Sequence, residues 1–291
     1  MPAPVKIWQQ GGGWRDESIS GFELARNHTP DRHGARIRKR RMDRKNIKMV
    51  LQYDGTRYHG WQRQKNALTI QAIVEEKIQV ITGERVKAIA SGRTDAGVHA
   101  LHQVCHFLTT SNIDPESTRR GLNSLLPEDI FVRHAEYVPV DFHARYSVRS
   151  KTYEYRILNR EQPNLFLRRY TWHVPRKLDL AGMERCVSLL QGRHDFSSFK
   201  SSGSENFNPV REMIRSELHR SSEEGMIHFI FEADGFLRHM VRNIVGTVIE
   251  VGSGKISPNE FFQILEARDR KKAGLKAPPQ GLFLTMVRYE D

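Results

Sequence analysis

Hydrophobic and polar positions follow two different spacings along the chain, and these spacings predict its helices and strands. Residues 47–53 alternate between apolar and polar with a period of two, which is typical of a strand. Residues 70–81 repeat apolar positions at intervals of three and four, which predicts a helix that Gly83 would end. The remaining elements of this stretch are two strands, a helix and a strand, predicted at 86–90, 104–108, 116–126 and 130–138. The predicted order is strand, helix, strand, strand, helix, strand.

The same order recurs in the second half of the chain. Its elements are a strand, a helix, a two-stranded hairpin, two helices and a strand, predicted at 153–157, 181–190, 213–219 with 226–231, 237–248, 259–266 and 282–289. Two such units in tandem predict an α+β protein with two ferredoxin-like halves, residues 46–145 and 146–291. A cleft between the halves is the usual place for a substrate site.

Residues 1–45 show neither spacing, and we predict that they form a disordered, basic extension. They hold 11 Lys and Arg against 5 Asp and Glu, so they carry +6 of the net charge of +12. Their basic run at 36–41 is interpreted either as a phosphate-binding arm or as a solvated tail, and Met42 is an alternative start. A basic protein of this kind makes a polyanionic partner the first to consider.

Composition excludes several other classes of protein. The apolar runs are far shorter than the ~20 residues that a membrane helix needs, so we expect no membrane association. The two cysteines, Cys105 and Cys186, show no spacing typical of a disulfide framework or a redox motif. The start of the chain does not have the pattern of a secretion signal, and we therefore expect a cytoplasmic protein.

The stretch from Ser91 to Ala100, SGRTDAGVHA, is the strongest candidate for chemistry. Asp95 lies between two glycines, which permit backbone conformations that could carry its carboxylate into a cleft. Arg93, two residues away, would keep that carboxylate ionised, and an ionised aspartate can act as a nucleophile. The alternative is an ordinary turn in which Asp95 bonds its own backbone and Arg93 is solvated.

Two other motifs fail on inspection. The run GSGK at 252–255 resembles a phosphate loop, but Ile256 stands where the motif requires Ser or Thr. The group His99, His102, Cys105 and His106 contains ligand types for zinc. On a strand, however, Cys105 would face away from His102 and His106, so we predict no metal site.

Arginines and aromatic residues interleave at 142–146, which includes Arg145, and at 151–156, which includes Tyr153. Cations hold phosphates and aromatic rings stack on unpaired bases, a combination that suits single-stranded or loop RNA. A half-exposed strand with core tyrosines explains the spacing equally well. Arg238 and Arg242, four residues apart beside the apolar stripe, would either serve the cleft or be solvated.

Four motifs together resemble the tRNA pseudouridine synthases of the bacterial TruA family. They are SGRTDAGVHA and, in three other places, YDGTRYHGWQRQ at 53–64, FHARYSVRSKTYEYRI at 142–157 and FLRHMVRNIVGTVIEVG at 236–252. The resemblance covers about residues 46–289 in the right order and leaves out the extension.

The resemblance implies an isomerase that converts uridine to pseudouridine at positions 38, 39 and 40 in the anticodon stem-loop of tRNA. It also implies a homodimer that needs no cofactor. Asp95 matches the family's nucleophile, Tyr153 the tyrosine that contacts the target base, and Arg242 the arginine that pairs with the catalytic carboxylate. Arg93 and Arg145 are further candidates for binding the substrate. A binding protein, namely a tRNA chaperone that keeps the fold without turnover, is the alternative function.

Overall fold

Strand β1 (Lys45–Tyr53) begins the part of the chain that this computed structural model describes, which is residues 44–201, 208–221 and 225–290. Most of the predicted extension at 1–45 lies outside these residues. The polar composition of residues 201–206 predicts a loop that contacts RNA, and most of that loop also lies outside the described residues.

The first half has the predicted order of elements. After β1 come α1, β2, β3, α2 and β4, at Ile70–Thr82, Ile89–Ala90, His99–Thr109, Pro115–Leu125 and Ile130–Val138. Gly83 ends α1 in the left-handed conformation, with φ of 72°. Strand β2 is shorter than predicted because side chains of α1 bind the backbone of Ala88. Glu75 accepts its N–H, and Gln71 donates to its carbonyl oxygen.

The second half adds two short strands to the predicted order. Its elements are β5, β6, α3, β7, β8, β9, α4, α5 and β10, at Val148–Leu158, Trp172–His173, Leu180–Ser188, Gly192–Asp195, Val210–Arg220, Met226–Ala233, Met240–Gly252, Pro258–Ala267 and Leu282–Tyr289. Strands β6 and β7 are two and four residues long, too short for a spacing of two to become visible in the sequence.

One mixed sheet runs through both halves, in the order β4-β1-β3-β10-β5-β9-β8-β7, with β2 on β3 and β6 on β5. Strand β10 joins the halves, because it pairs parallel with β3 on one side and antiparallel with β5 on the other. This arrangement confirms the α+β class. The predicted boundary between residues 145 and 146 falls between β4 and β5 and stays a prediction.

Helix α4 lies in the core of the second half, and all 13 of its residues are buried. It begins at Met240 and not at 237 as predicted, because His239 has a φ of 61° and a left-handed residue does not continue a right-handed helix. The GSGK run lies at the other end of α4. There the backbone N–H of Ser253 donates to the carbonyl oxygen of Ile249 in the last turn of the helix. Within the described residues no helix is long and apolar enough to cross a membrane.

Candidate active site

Asp95 lies on the loop between β2 and β3, as the sequence predicts. The motif at residues 53–64 packs against that loop. The N–H of Trp61 donates to the carbonyl oxygen of Thr94 at 3.1 Å, and the N–H of Gly97 donates to that of Tyr58 at 3.1 Å. Gly60 makes this close approach possible, because a Cβ built on it would lie 2.3 Å from the Thr94 carbonyl oxygen. The 53–64 motif and the Asp95 loop therefore form one packed unit.

A buried network of polar side chains also holds the Asp95 loop in place. The hydroxyls of Tyr53 and Thr94 are 2.8 Å apart. Gln103 on β3 donates to the carbonyl oxygen of Gly92 at 2.9 Å and accepts from the Ser91 hydroxyl at 2.7 Å. Burial raises the pKa of Tyr53 to about 12, so its phenol stays protonated. Buried side chains thus hold the loop at Ser91, Gly92 and Thr94.

Lys151 on β5 reaches the loop from the second half. Its ammonium group donates to the carbonyl oxygen of Ser91 at 2.6 Å. Burial first, and then the positive charges of Arg145 and Arg211, lower its pKa to about 8. The sequence pattern around Lys151 suggested contact with RNA, whereas in the structure its ammonium group supports the protein's own loop.

Two side chains of the second half hold the Asp95 carboxylate. Arg242 on α4 places its Nη1 3.1 Å from Oδ2, and His239 places its Nε2 3.5 Å from Oδ1. Arg242 also donates its Nε–H to the carbonyl oxygen of Ala277 at 2.8 Å, which fixes the guanidinium. The side chains of Arg242 and Asp95 are 8% and 29% exposed, so a buried cation orients a carboxylate that solvent can still reach.

Arg93 does not have the place that its position in the sequence suggested. It is exposed, and within the described residues the ion pairs of Asp95 are those with Arg242 and His239. The sequence suggested that Arg93 supplies the positive charge near Asp95. In the structure Arg242 supplies it, and Arg242 is 147 positions from Asp95 along the chain. The alternative expected Asp95 to bond its own backbone and Arg93 to be solvated; Arg93 is indeed exposed, but the Asp95 carboxylate pairs with Arg242 and His239.

Tyr153 lies on β5 with its side chain buried at 8% residue exposure. The edge of its ring meets Phe236, with the ring centroids 4.9 Å apart. Its pKa is raised above the usual range, first by burial and then by its ionisable neighbours Tyr53 and Asp95. Arg145 is exposed and lies 5.8 Å from the ring of Tyr146.

The histidines of β3 bind protein backbone. The Nδ1 of His99 accepts the N–H of Gly55 at 3.1 Å, and that of His106 accepts the N–H of Ala144 at 3.1 Å. Burial lowers the pKa of both imidazoles, that of His106 to about 4. Across the described ranges no group of three or more His, Cys, Asp or Glu residues is arranged to hold a metal ion.

Sequence reasoning missed two residues of the site, His239 and Lys151. Both lie inside motifs that were noticed, at 236–252 and 142–157. Their contacts with Asp95 and Ser91 depend on the packing of β5 and α4 against the β2–β3 loop. A pattern of neighbouring residues contains no information about such contacts.

The fold and this site together define an α+β enzyme in which a loop of one half presents a carboxylate and a helix of the other half pairs it with arginine. A sequence model described as tRNA pseudouridine synthase matches residues 49–147 and 186–290, and the chain belongs to that family. This confirms the resemblance found from the four motifs.

Individual relatives agree. The chain is 48% identical over 245 residues to tRNA pseudouridine synthase A of Acetivibrio thermocellus, which covers 84% of this chain and 100% of the relative. It is 47% identical over 245 residues to the protein of the same name in Thermoanaerobacter pseudethanolicus and 44% identical to that of Clostridium acetobutylicum, with the same coverage.

Proposed function

We propose that the protein isomerises uridine to pseudouridine in tRNA, at positions 38, 39 and 40 of the anticodon stem-loop, with Asp95 as the catalytic carboxylate. The observation that carries the proposal is the pair of Asp95 and Arg242, a partly exposed carboxylate 3.1 Å from a buried guanidinium. Membership of the tRNA pseudouridine synthase family supports the substrate class. Resemblance to the family supports the positions within the tRNA.

The reaction makes demands that these residues meet. The bond from C1′ of the ribose to N1 of uracil breaks, the base turns, and a bond forms from C5 to C1′. N1 gains a proton and C5 loses one, so no electrons are exchanged and no redox cofactor is required. A carboxylate can serve by attacking C1′, by attacking C6 of the ring, or by removing a ribose proton to form a glycal. In each route Arg242 orients the carboxylate before the base arrives.

The target base lies within a folded stem-loop, and it must leave the stack to reach Asp95. Tyr153 contacts that base in this proposal, which is supported by its ring contact with Phe236 and by the effect of the Asp95 charge on its pKa. Arg93 and Arg145 are exposed cations of the first half and can bind phosphates of the same RNA. A homodimer and a cytoplasmic location complete the proposal, supported by the family resemblance and by the substrate. Sedimentation of the purified protein tests the dimer.

Asp95→Asn tests the proposal directly. The substitution is nearly isosteric and removes the charge, so we expect pseudouridine formation to fall by roughly three orders of magnitude or more. Affinity for tRNA should change little, because phosphate contacts dominate it. Nucleoside chromatography of a treated anticodon stem-loop measures the product, since uridine and pseudouridine have the same mass. Undiminished product from the variant would exclude Asp95 as the catalytic group.

Stem-loops that differ only in where uridine occurs test the proposed target positions separately from the activity itself. Stem-loops with cytidine at 38, 39 and 40 and uridine elsewhere should give no product, and product from them would exclude the proposed positions. The second candidate, a tRNA chaperone without turnover, predicts tight binding and no pseudouridine from the wild-type protein with any tRNA. The ordered Asp95 and Arg242 pair favours the enzyme, because binding alone does not require a carboxylate held beside an RNA site.

A further inference from the structure

His239 occupies an unusual backbone position immediately before helix α4. Its φ of 61° belongs to the left-handed region, which costs free energy for any residue with a side chain. The only other residue outside glycine with positive φ in the described chain is Arg268. The conformation brings the imidazole toward the Asp95 loop, where Nε2 lies 3.5 Å from Oδ1. Strain of this kind persists where the surrounding contacts hold it, and it is concentrated at functional sites.

The hydrogen bonds behind His239 favour one of the two neutral forms of its imidazole ring. Arg270 donates to the Oδ1 of Asn243 at 3.0 Å, which orients that amide so that its Nδ2 donates to the carbonyl oxygen of Phe199 and to the hydroxyl of Ser201. The Ser201 oxygen therefore accepts from Asn243 and has its own hydrogen to give. It lies 2.8 Å from the Nδ1 of His239. When this hydroxyl gives its hydrogen to Nδ1, the neutral imidazole carries its proton on Nε2, facing Asp95.

The charged groups around the ring favour this neutral form. Burial lowers the pKa of His239, the Asp95 carboxylate opposes that effect, and the positive charges of Lys276, Arg242 and Arg238 lower the pKa further. A histidine whose pKa is lowered remains neutral at physiological pH. The neutral His239 ring can then donate one hydrogen bond to the Asp95 carboxylate. Arg242 remains the only full positive charge that is paired with this carboxylate within the described residues.

We propose that His239 is a positioning residue of the reaction, which donates Nε2–H to Oδ1 of Asp95 while Arg242 binds Oδ2. The two donors fix the plane of the carboxylate and thereby the direction in which it meets the uridine. The inference rests on the proposed function. The distance of 3.5 Å is at the outer limit of a hydrogen bond, and the proposal expects it to shorten when RNA binds.

His239→Asn is the informative variant. Asparagine tolerates the left-handed backbone and can still bond to Ser201, but its side chain is too short to reach Asp95. We expect kcat to fall about 10- to 100-fold with KM for the stem-loop unchanged, because orientation is lost and binding is not. His239→Gln, whose amide nitrogen reaches about as far as Nε2, should recover part of kcat. An exposed histidine on β4 supplies the control, His134→Asn, which should leave both constants unchanged.

A second measurement does not depend on turnover. Nitrogen-15 NMR of the free enzyme distinguishes the two neutral tautomers, and the signal of His239 is the one that disappears in His239→Asn. The proposal expects the Nε2–H tautomer at neutral pH. An Nδ1–H tautomer or a protonated ring would overturn it, as would a kcat for His239→Asn equal to the wild type's. Absence of pseudouridine with the wild-type enzyme would instead contradict the proposed function, and the tautomer would still test the geometry.

Discussion

The Asp95 loop and the beginning of helix α4 form opposite sides of the site, and they are held in place by different means. Polar contacts from three strands hold the loop, through Tyr53, Gln103 and Lys151. Helix α4 is held by packing in the core, since all 13 of its residues are buried, with added hydrogen bonds from Arg242 and Asn243. The carboxylate therefore depends on a few directional bonds, whereas the residues that orient it depend on the core of the second half.

Because of this difference, we expect substitutions near the Asp95 loop to affect mainly activity and substitutions in α4 to affect mainly stability. A change beneath the loop should shift Asp95 in a protein that still folds, because few apolar contacts are lost. A change along α4 should be felt by the whole second half, because close-packed interiors relax only partially. Glycines that allow close approach of another segment lie on both sides, and each offers a substitution by a single methyl group.

Gly246→Ala in α4 should have the largest effect on stability. A Cβ at this position would lie 1.8 Å from the carbonyl oxygen of Leu275, and backbone on both sides has to move. We expect a loss of about 3 kcal/mol or more and a melting temperature lower by roughly 6–12 °C. Thermal unfolding followed by circular dichroism measures it. Gly121→Ala in α2 is the control, because its Cβ would meet only Ile81 at 3.4 Å; equal losses in both variants would contradict the comparison.

Gly60→Ala should reduce activity more than stability. The new Cβ would press on the Thr94 carbonyl oxygen beside Asp95, in addition to the strain of a φ of 84°. Displacement of a catalytic group by about 1 Å costs on the order of 10²-fold in rate, which is the fall in kcat that we expect. Gly83→Ala has the same backbone strain, with a φ of 72°, but no atom within 4 Å of its Cβ.

The control variant separates strain from displacement. Gly83→Ala should lose about 1 kcal/mol of stability and keep wild-type kcat. Stem-loop turnover and denaturant unfolding of both variants provide the measurements. Full activity of Gly60→Ala, together with lower stability, would show that the motif at residues 53–64 does not position the Asp95 carboxylate.

The two sides of the site also differ in how far the sequence predicts them. Spacing located β4 and β10 at their observed bounds, and it placed Asp95 on the correct loop, because alternation of buried and exposed positions is a local property. It extended β2 back to residue 86, where side chains of α1 replace a strand partner at Ala88. Tertiary hydrogen bonds overrode the local pattern there.

The partners of Asp95 were beyond any local pattern. Arg93 is two residues away in sequence and exposed, whereas Arg242 is 147 residues away and buried against the carboxylate. Only the family resemblance singled out Arg242 among the arginines. His239 lay in the same motif, but its left-handed backbone and its bond to Ser201 arise from packing before α4.

Lys151→Met tests the polar support of the loop and should have the smallest effect at neutral pH. The change leaves the Ser91 carbonyl oxygen without its donor, which costs about 1–3 kcal/mol, but it also removes the cost of burying a charge. The two effects oppose each other, so the net change in stability near pH 7 should be about 1 kcal/mol or less.

The dependence on pH distinguishes the two effects. In the folded protein Lys151 titrates at about 8, and in the unfolded chain at about 10.4. Between these values the unfolded chain binds more protons than the native state, so the wild type gains stability as pH rises. A neutral amine still donates to Ser91, and the gain relative to Lys151→Met should reach about 1–3 kcal/mol by pH 10. Urea unfolding from pH 7 to 10 measures it, with Lys65→Met as the control for removing an exposed lysine. A difference that stays constant with pH would show that Lys151 is not buried against the loop.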